Sequence, residues 1–196
     1  MIEYIKGEVE ELSPTQLIME CSGIGYELNI SLTTYSAFNG QKAGKIFVYE
    51  VIREDAHLLF GFATREEREL FLLLTSVSGV GPNTARMILS SLPPSELINV
   101  IASGDDVSLT SVKGIGSKTA QRIVVDLRNK VKTVDNTGVK NRSVTGGRSD
   151  TAEGAIAALI MLGFQKAASQ KTVDSILKKS PSTSVEQVIK DALKML

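Results

Sequence analysis

The sequence predicts a multidomain α+β protein: a small five-stranded β-barrel, a helical domain built on a duplicated unit, a flexible linker and a three-helix tail. Three observations carry this reading. Residues 1–63 are rich in β-branched and aromatic side chains broken by turn chemistry. The stretch SVSGVGPNTARMI (76–88) returns 35 residues later as SVKGIGSKTAQRI (111–123), each time ahead of apolar helical periodicity. Residues 132–149, KTVDNTGVKNRSVTGGRS, carry no periodic apolar face.

The barrel comes first. IEYIKGEV, QLIMEC, GYELNISL, KIFVYEVI and HLLFGF alternate in part and read as strands, separated by Ser13-Pro14, Ser22-Gly23, Asn39-Gly40 and the Arg53-Glu54-Asp55 corner. Five short strands in about sixty residues point to an OB-fold. Eight of the ten aromatic residues fall in this part. On a single-strand-binding OB-fold they would stack bases, but filling the barrel is the favoured role.

At Thr64 the pattern changes. Thr64-Arg65-Glu66-Glu67 reads as a capping box ahead of the apolar run Leu70 to Leu74. Helices are expected from there to about Val131, punctuated by Pro93-Pro94-Ser95 and Ser103-Gly104-Asp105. Residues 64–131 thus form a helical domain, 132–149 a linker and 150–196 a third unit. In that unit Ile156, Leu159, Ile160 and Leu162 mark a first helix ending near Gly163, and Val173, Ile176 and Leu177 mark a second. Val185, Val188, Ile189, Ala192, Leu193 and Leu196 form a helical stripe. So small a domain with no evident ligand pocket is suited to a protein partner.

Composition narrows the function. Cys21 and His57, each alone of its kind, cannot build a Cys/His zinc site or a disulfide framework. No apolar run reaches the ~18 residues of a membrane span, and MIEYIKGEVEEL lacks the layout of a signal peptide, so the expected compartment is the cytoplasm. The formal net charge is zero, but it is unevenly spread: residues 1–63 hold four basic and nine acidic side chains, and residues 107–132 six basic and one acidic.

The twin Gly-x-Gly turns pose a choice between a nucleotide phosphate and a nucleic-acid backbone. Gly114-Ile115-Gly116-Ser117-Lys118-Thr119 lacks the upstream glycine and the preceding strand of a P-loop, and the first copy has no lysine. The backbone reading fits better. A helix, a short hairpin and a second helix present several unpaired amides and a helix dipole to an anion. Such amides read phosphate without reading bases. The candidate DNA-binding residues are Gly79, Val80, Gly81, Asn83 and Thr84 in the first copy. In the second they are Lys113, Gly114, Ile115, Gly116, Lys118, Thr119 and Arg122. Lys118 and Arg122 share a helix face that can reach flanking phosphates. No catalytic residue, metal or cofactor is expected.

Paired helix-hairpin-helix units behind a five-strand barrel, with VIREDAHLLFGF at 51–62, resemble the RuvA family of bacterial Holliday-junction-binding proteins over the whole chain. The resemblance implies a homotetramer that holds a four-way junction open, with the RuvB ATPase and the RuvC resolvase as partners. It implies hairpin glycines at Gly79, Gly81, Gly114 and Gly116, a phosphate contact at Lys118, and an acidic pin at Glu54 and Asp55 near the junction centre. Asn83 stands where many members carry lysine. LIMLGF resembles the RuvB-binding region, making Leu159, Leu162 and Phe164 candidate contacts. Two alternatives stay open: a general duplex-DNA or RNA-binding scaffold, and a helix-hairpin-helix glycosylase or nuclease. For the latter, Asp126 lacks a partner motif, and the adjacent pairs Glu54-Asp55 and Asp105-Asp106 converge poorly on one ion.

Overall fold

A computed structural model describes residues 1–131, 148–180 and 183–195. The expected linker, 132–149, lies outside them except for its last two residues. Two compact units emerge, residues 1–140 and 141–196.

In the first unit β1 (Tyr4–Ser13), β2 (Gln16–Cys21), β3 (Ile24–Ile30), β4 (Ala43–Ile52) and β5 (His57–Phe62) close into a barrel in the order β1-β2-β3-β5-β4. Only β3 and β5 pair in parallel. Period-2 alternation turns Ile5, Leu17, Met19, Leu28, Ile30, Ile46 and Val48 inward. β1 serves both β2 and β4, and its register shifts between Val9 and Glu11, a bulge that bends the strand around the barrel. Gly7 lies at the tightest approach, since a Cβ there would stand 1.9 Å from the Glu20 carbonyl oxygen.

The sequence reads Asn29 to Leu32 as the end of a strand, but the chain turns there into a short helix, α1 (Leu32–Phe38). Ser31 caps it, its hydroxyl accepting from the Thr34 amide at 3.0 Å, and Phe38 buries against the barrel core. Helix α2 (Arg65–Thr75) begins at Thr64 as expected, the Thr64 hydroxyl accepting from the Glu67 amide at 3.1 Å. The reciprocal half of the capping box is absent. The buried Glu67 carboxylate accepts instead from the Ser31 and Thr34 hydroxyls and from the Ala63 amide. One acidic side chain thereby ties α1, the end of β5 and α2 together. Burial pushes its carboxyl above the ordinary glutamate range, against the pull of those hydrogen bonds.

The aromatics divide between two cores. Phe38 fills the barrel, with Tyr26 and Tyr35 packed against that core. Phe60 and Phe62 join the helical core instead, where with Tyr49 they surround Phe71 of α2 at ring-centroid distances of 4.8–5.6 Å. This aromatic contact welds barrel to helices, so the two pack as one body. Of the eight, only Tyr4 is half exposed, at 50%.

Among the described residues this unit also holds α3 (Pro82–Ser91), α4 (Pro94–Ser103), α5 (Asp106–Thr110) and α6 (Ser117–Leu127). Arg86 of α3 donates to the Thr15 carbonyl at 3.0 Å and to Asn29 Oδ1 at 3.4 Å, and the Thr33 hydroxyl donates to the Leu89 carbonyl at 2.9 Å. These bonds set α3 against the barrel.

The second unit holds α7 (Arg148–Met161), α8 (Lys166–Lys179) and α9 (Val185–Ala192) around Ala155, Leu159, Val173, Ile176, Leu177, Val188 and Ala192. Helix α7 starts two residues before the expected boundary and is followed by a turn through Gly163 at φ +96°. Ser184 caps α9 by accepting from the Gln187 amide at 3.4 Å. Leu193, the C-cap of α9, is 45% exposed, and Leu196 lies outside the described residues.

Candidate nucleic-acid interface

The two hairpins have the same backbone. Gly79 and Gly114 take φ of +93° and +90°, a left-handed conformation costly for any residue with a Cβ. Val80 and Ile115 follow, buried to 5% and 6%, and their amides return to the carbonyls of Val77 and Val112, both at 3.0 Å. Each turn is thus nailed to the helical core by two apolar side chains, while its glycines stay at the surface.

Gly81 and Gly116 are the N-caps of α3 and α6. Their φ of −85° suits any residue, and a Cβ on either would meet nothing within 4 Å. The fold itself therefore does not demand glycine at these two positions. Their carbonyls accept the first helical bonds, from Ala85 at 2.9 Å and Ala120 at 3.0 Å, and no side chain caps either helix. Among the described residues nothing accepts from the amides of Gly81, Asn83 and Thr84, or from those of Gly116, Ser117, Lys118 and Thr119. Pro82 at the first helical position removes one such donor from the first site only. Two open helix N-termini, each approached through a glycine turn, are arranged to receive anions.

The basic side chains are not equivalent. Lys113 and Lys118 are exposed and make no hydrogen bond or ion pair within the described residues. Arg122 is exposed but donates from Nη1 to the Ser78 carbonyl at 3.1 Å, crossing from the second repeat to the first hairpin. Arg128 donates to the Ala102 carbonyl at 3.1 Å, tying α6 to the end of α4. Sequence reasoning could not foresee these two bonds, because both depend on how the repeats pack.

Glu54 and Asp55 form the exposed tip of the β4–β5 hairpin, which is closed by the Arg53 amide donating to the Ala56 carbonyl at 2.8 Å. Neither carboxylate accepts a hydrogen bond from a described residue, so neither is used to hold the turn. Asp105 is the N-cap of α5, accepting from the Ser108 amide at 3.0 Å; the Ser108 hydroxyl bond to it is the chief cause of its lowered pKa. Asp126 is exposed on α6. Among the described residues no three His, Cys, Asp or Glu side chains gather as metal ligands, and no helix is long and apolar enough to cross a membrane.

In the tail, Leu162 is 59% exposed beside Met161 at 89%. Phe164 is partly buried against the three-helix core. Leu159 is fully buried in the core of this unit.

Comparison with known proteins agrees with this geometry. The model of the RuvA N-terminal domain matches residues 1–61, that of a SAM-like helix-hairpin-helix tandem 71–129, and that of the RuvA C-terminal domain 150–196. The chain belongs to the RuvA family. Its relatives include proteins named Holliday junction branch migration complex subunit RuvA. The one from Parabacteroides distasonis is 68% identical over 196 residues, that from Bacteroides fragilis 55% over 205, and that from Porphyromonas gingivalis 52% over 202. Each match covers all of both chains. The barrel thus lies in the segment matched as a RuvA N-terminal domain, and the twin hairpins in the segment matched as a helix-hairpin-helix tandem.

Proposed function

We propose that the chain is the DNA-binding subunit of a branch migration complex. It holds a four-way junction irrespective of sequence and has no catalytic step of its own. The carrying observation is the pair of helix N-termini capped by Gly81 and Gly116, with open amides that the fold leaves unused. Amides so placed bind phosphate oxygens and carry no base information. Lys113 and Lys118 add charge at the second hairpin. On this reading four copies assemble around the four arms. The exposed turn at Met161 and Leu162 recruits the RuvB motor, RuvC meets the same complex, and the protein works in the cytoplasm.

The pin has a physical rationale. A carboxylate ~4 Å from a phosphate is repelled by about 1 kcal/mol even at a water-like dielectric. Several such groups at a crossover part the strands without gripping them. Replacing Glu54 and Asp55 by Gln and Asn is expected to leave junction affinity unchanged or tighter, and to alter the rate at which the motor moves the branch point. Loss of binding would refute the pin role.

Gel-shift at matched salt, with the mass of the bound species, tests the whole reading. A junction preferred over linear duplex and a four-copy complex are expected. Equal affinities would favour a general duplex-binding scaffold, and strand cleavage or base release would favour an enzyme. Affinity should fall steeply with salt, since log K drops by about 0.9 per released phosphate counterion per log unit of salt.

A further inference from the structure

When the two repeats are laid on each other, the cations fall almost wholly on the second. Lys113, Lys118 and Arg122 match Ser78, Asn83 and Met87 of the first. The first repeat's own cation, Arg86, is turned to the barrel and engaged by Thr15 and Asn29. The first hairpin therefore offers amides with no positive side chain of its own.

Arg122 reaches across to that hairpin. It lies one turn beyond Lys118 on α6, yet its guanidinium meets the carbonyl of Ser78, the residue just before Gly79. A single guanidinium donor is engaged there, from a group that carries five N–H donors in a planar fork. We propose that Arg122, though carried by the second repeat, serves the first hairpin: it supplies the cation for the phosphate held there and fixes the spacing between the two grips. The proposal rests on reading the hairpins as phosphate sites. It explains how a hairpin with Asn83 where its duplicate has Lys118 works as a full grip.

The test is phosphate-ethylation interference with the full-length protein on an immobile four-way junction, whose crossover fixes the register. The wild type should show two groups of interfering phosphates per occupied arm, one per hairpin. Lys118→Gln identifies the second group by weakening it. Arg122→Gln should weaken the other group, leave the Lys118 group intact and reduce the salt slope by about 0.9 per protomer engaged. Adding Asn83→Lys to Arg122→Gln should restore interference at the first group, whereas adding it to Lys118→Gln should not restore the second. The proposal is overturned if Arg122→Gln weakens the same phosphates as Lys118→Gln, or leaves both groups unchanged. The parent reading is judged separately, by whether the wild type prefers junction to duplex in the same gels. If it does not, the salt slopes of the two variants on duplex still report whether Arg122 contacts phosphate.

Discussion

Gly81→Asp combined with Gly116→Asp is expected to leave the protein folded, with a melting temperature at or above that of the wild type, while four-way-junction affinity falls by at least roughly 100-fold, about 2.7 kcal/mol. Both positions are helix N-caps with ordinary backbone angles and open space where a side chain would grow. Asp is among the best N-cap residues, and relative to the glycine now at each cap it adds a few tenths of a kcal/mol. Its carboxylate would take the amides at the second or third helical position, Asn83 and Thr84 in α3 or Lys118 and Thr119 in α6. It would also set a negative charge where a phosphate must come. A glycine at a position where a capping side chain would improve stability is best explained by a ligand that needs the amides. Thermal melting and gel-shift on the same preparation check both halves. Loss of folding would mean that these glycines serve the turn, and unchanged affinity would mean that the amides do not meet DNA.

Glu67→Ala should be the most destabilising single change outside the apolar core, costing about 2–4 kcal/mol in denaturant unfolding, because buried hydroxyls of Ser31 and Thr34 lose a partner. The Ala63 amide also donates to Thr34 Oγ1 at 3.0 Å and so keeps one acceptor. Glu67→Gln should be far milder and should reveal a pH dependence. Burial raises the native pKa of Glu67 above its unfolded value. Its contribution is then fully present below the unfolded pKa and is lost as pH rises through the native one. The stability of the wild type relative to Glu67→Gln should accordingly fall from acid toward neutral pH. A difference that grows with pH would mean that the carboxylate is held ionised.

The same residue shows where sequence reading reaches its limit. Thr64 announces the start of α2 because its partner, the Glu67 amide, is three residues away. Helix α1 is hidden because its cap, Ser31, lies in a run that reads as strand through Leu32, and the acid that completes its N-terminus comes from Glu67, 36 residues beyond Ser31. The strands were legible from alternation, since a half-buried sheet face leaves a period-2 mark. That Phe60 and Phe62 serve the helical core was not, because alternation gives a face without saying what covers it. The hairpins were legible because duplication made a short Gly-x-Gly pattern specific. The crossing of Arg122 to Ser78 was not, since it depends on how one repeat is set against the other. In the tail, periodicity marked Leu159 as apolar but could not separate a buried side chain from a docking one.

A titration of the nitrogen-15-labelled full-length protein with a four-way junction, followed by amide chemical shifts, tests directly whether the helix-start amides hold DNA. Large, saturable shifts are expected at Gly81, Asn83, Thr84, Gly116, Ser117, Lys118 and Thr119, the same for junctions of unrelated sequence. Silent amides at both helix starts, with binding seen elsewhere on the barrel or tail, would contradict that role.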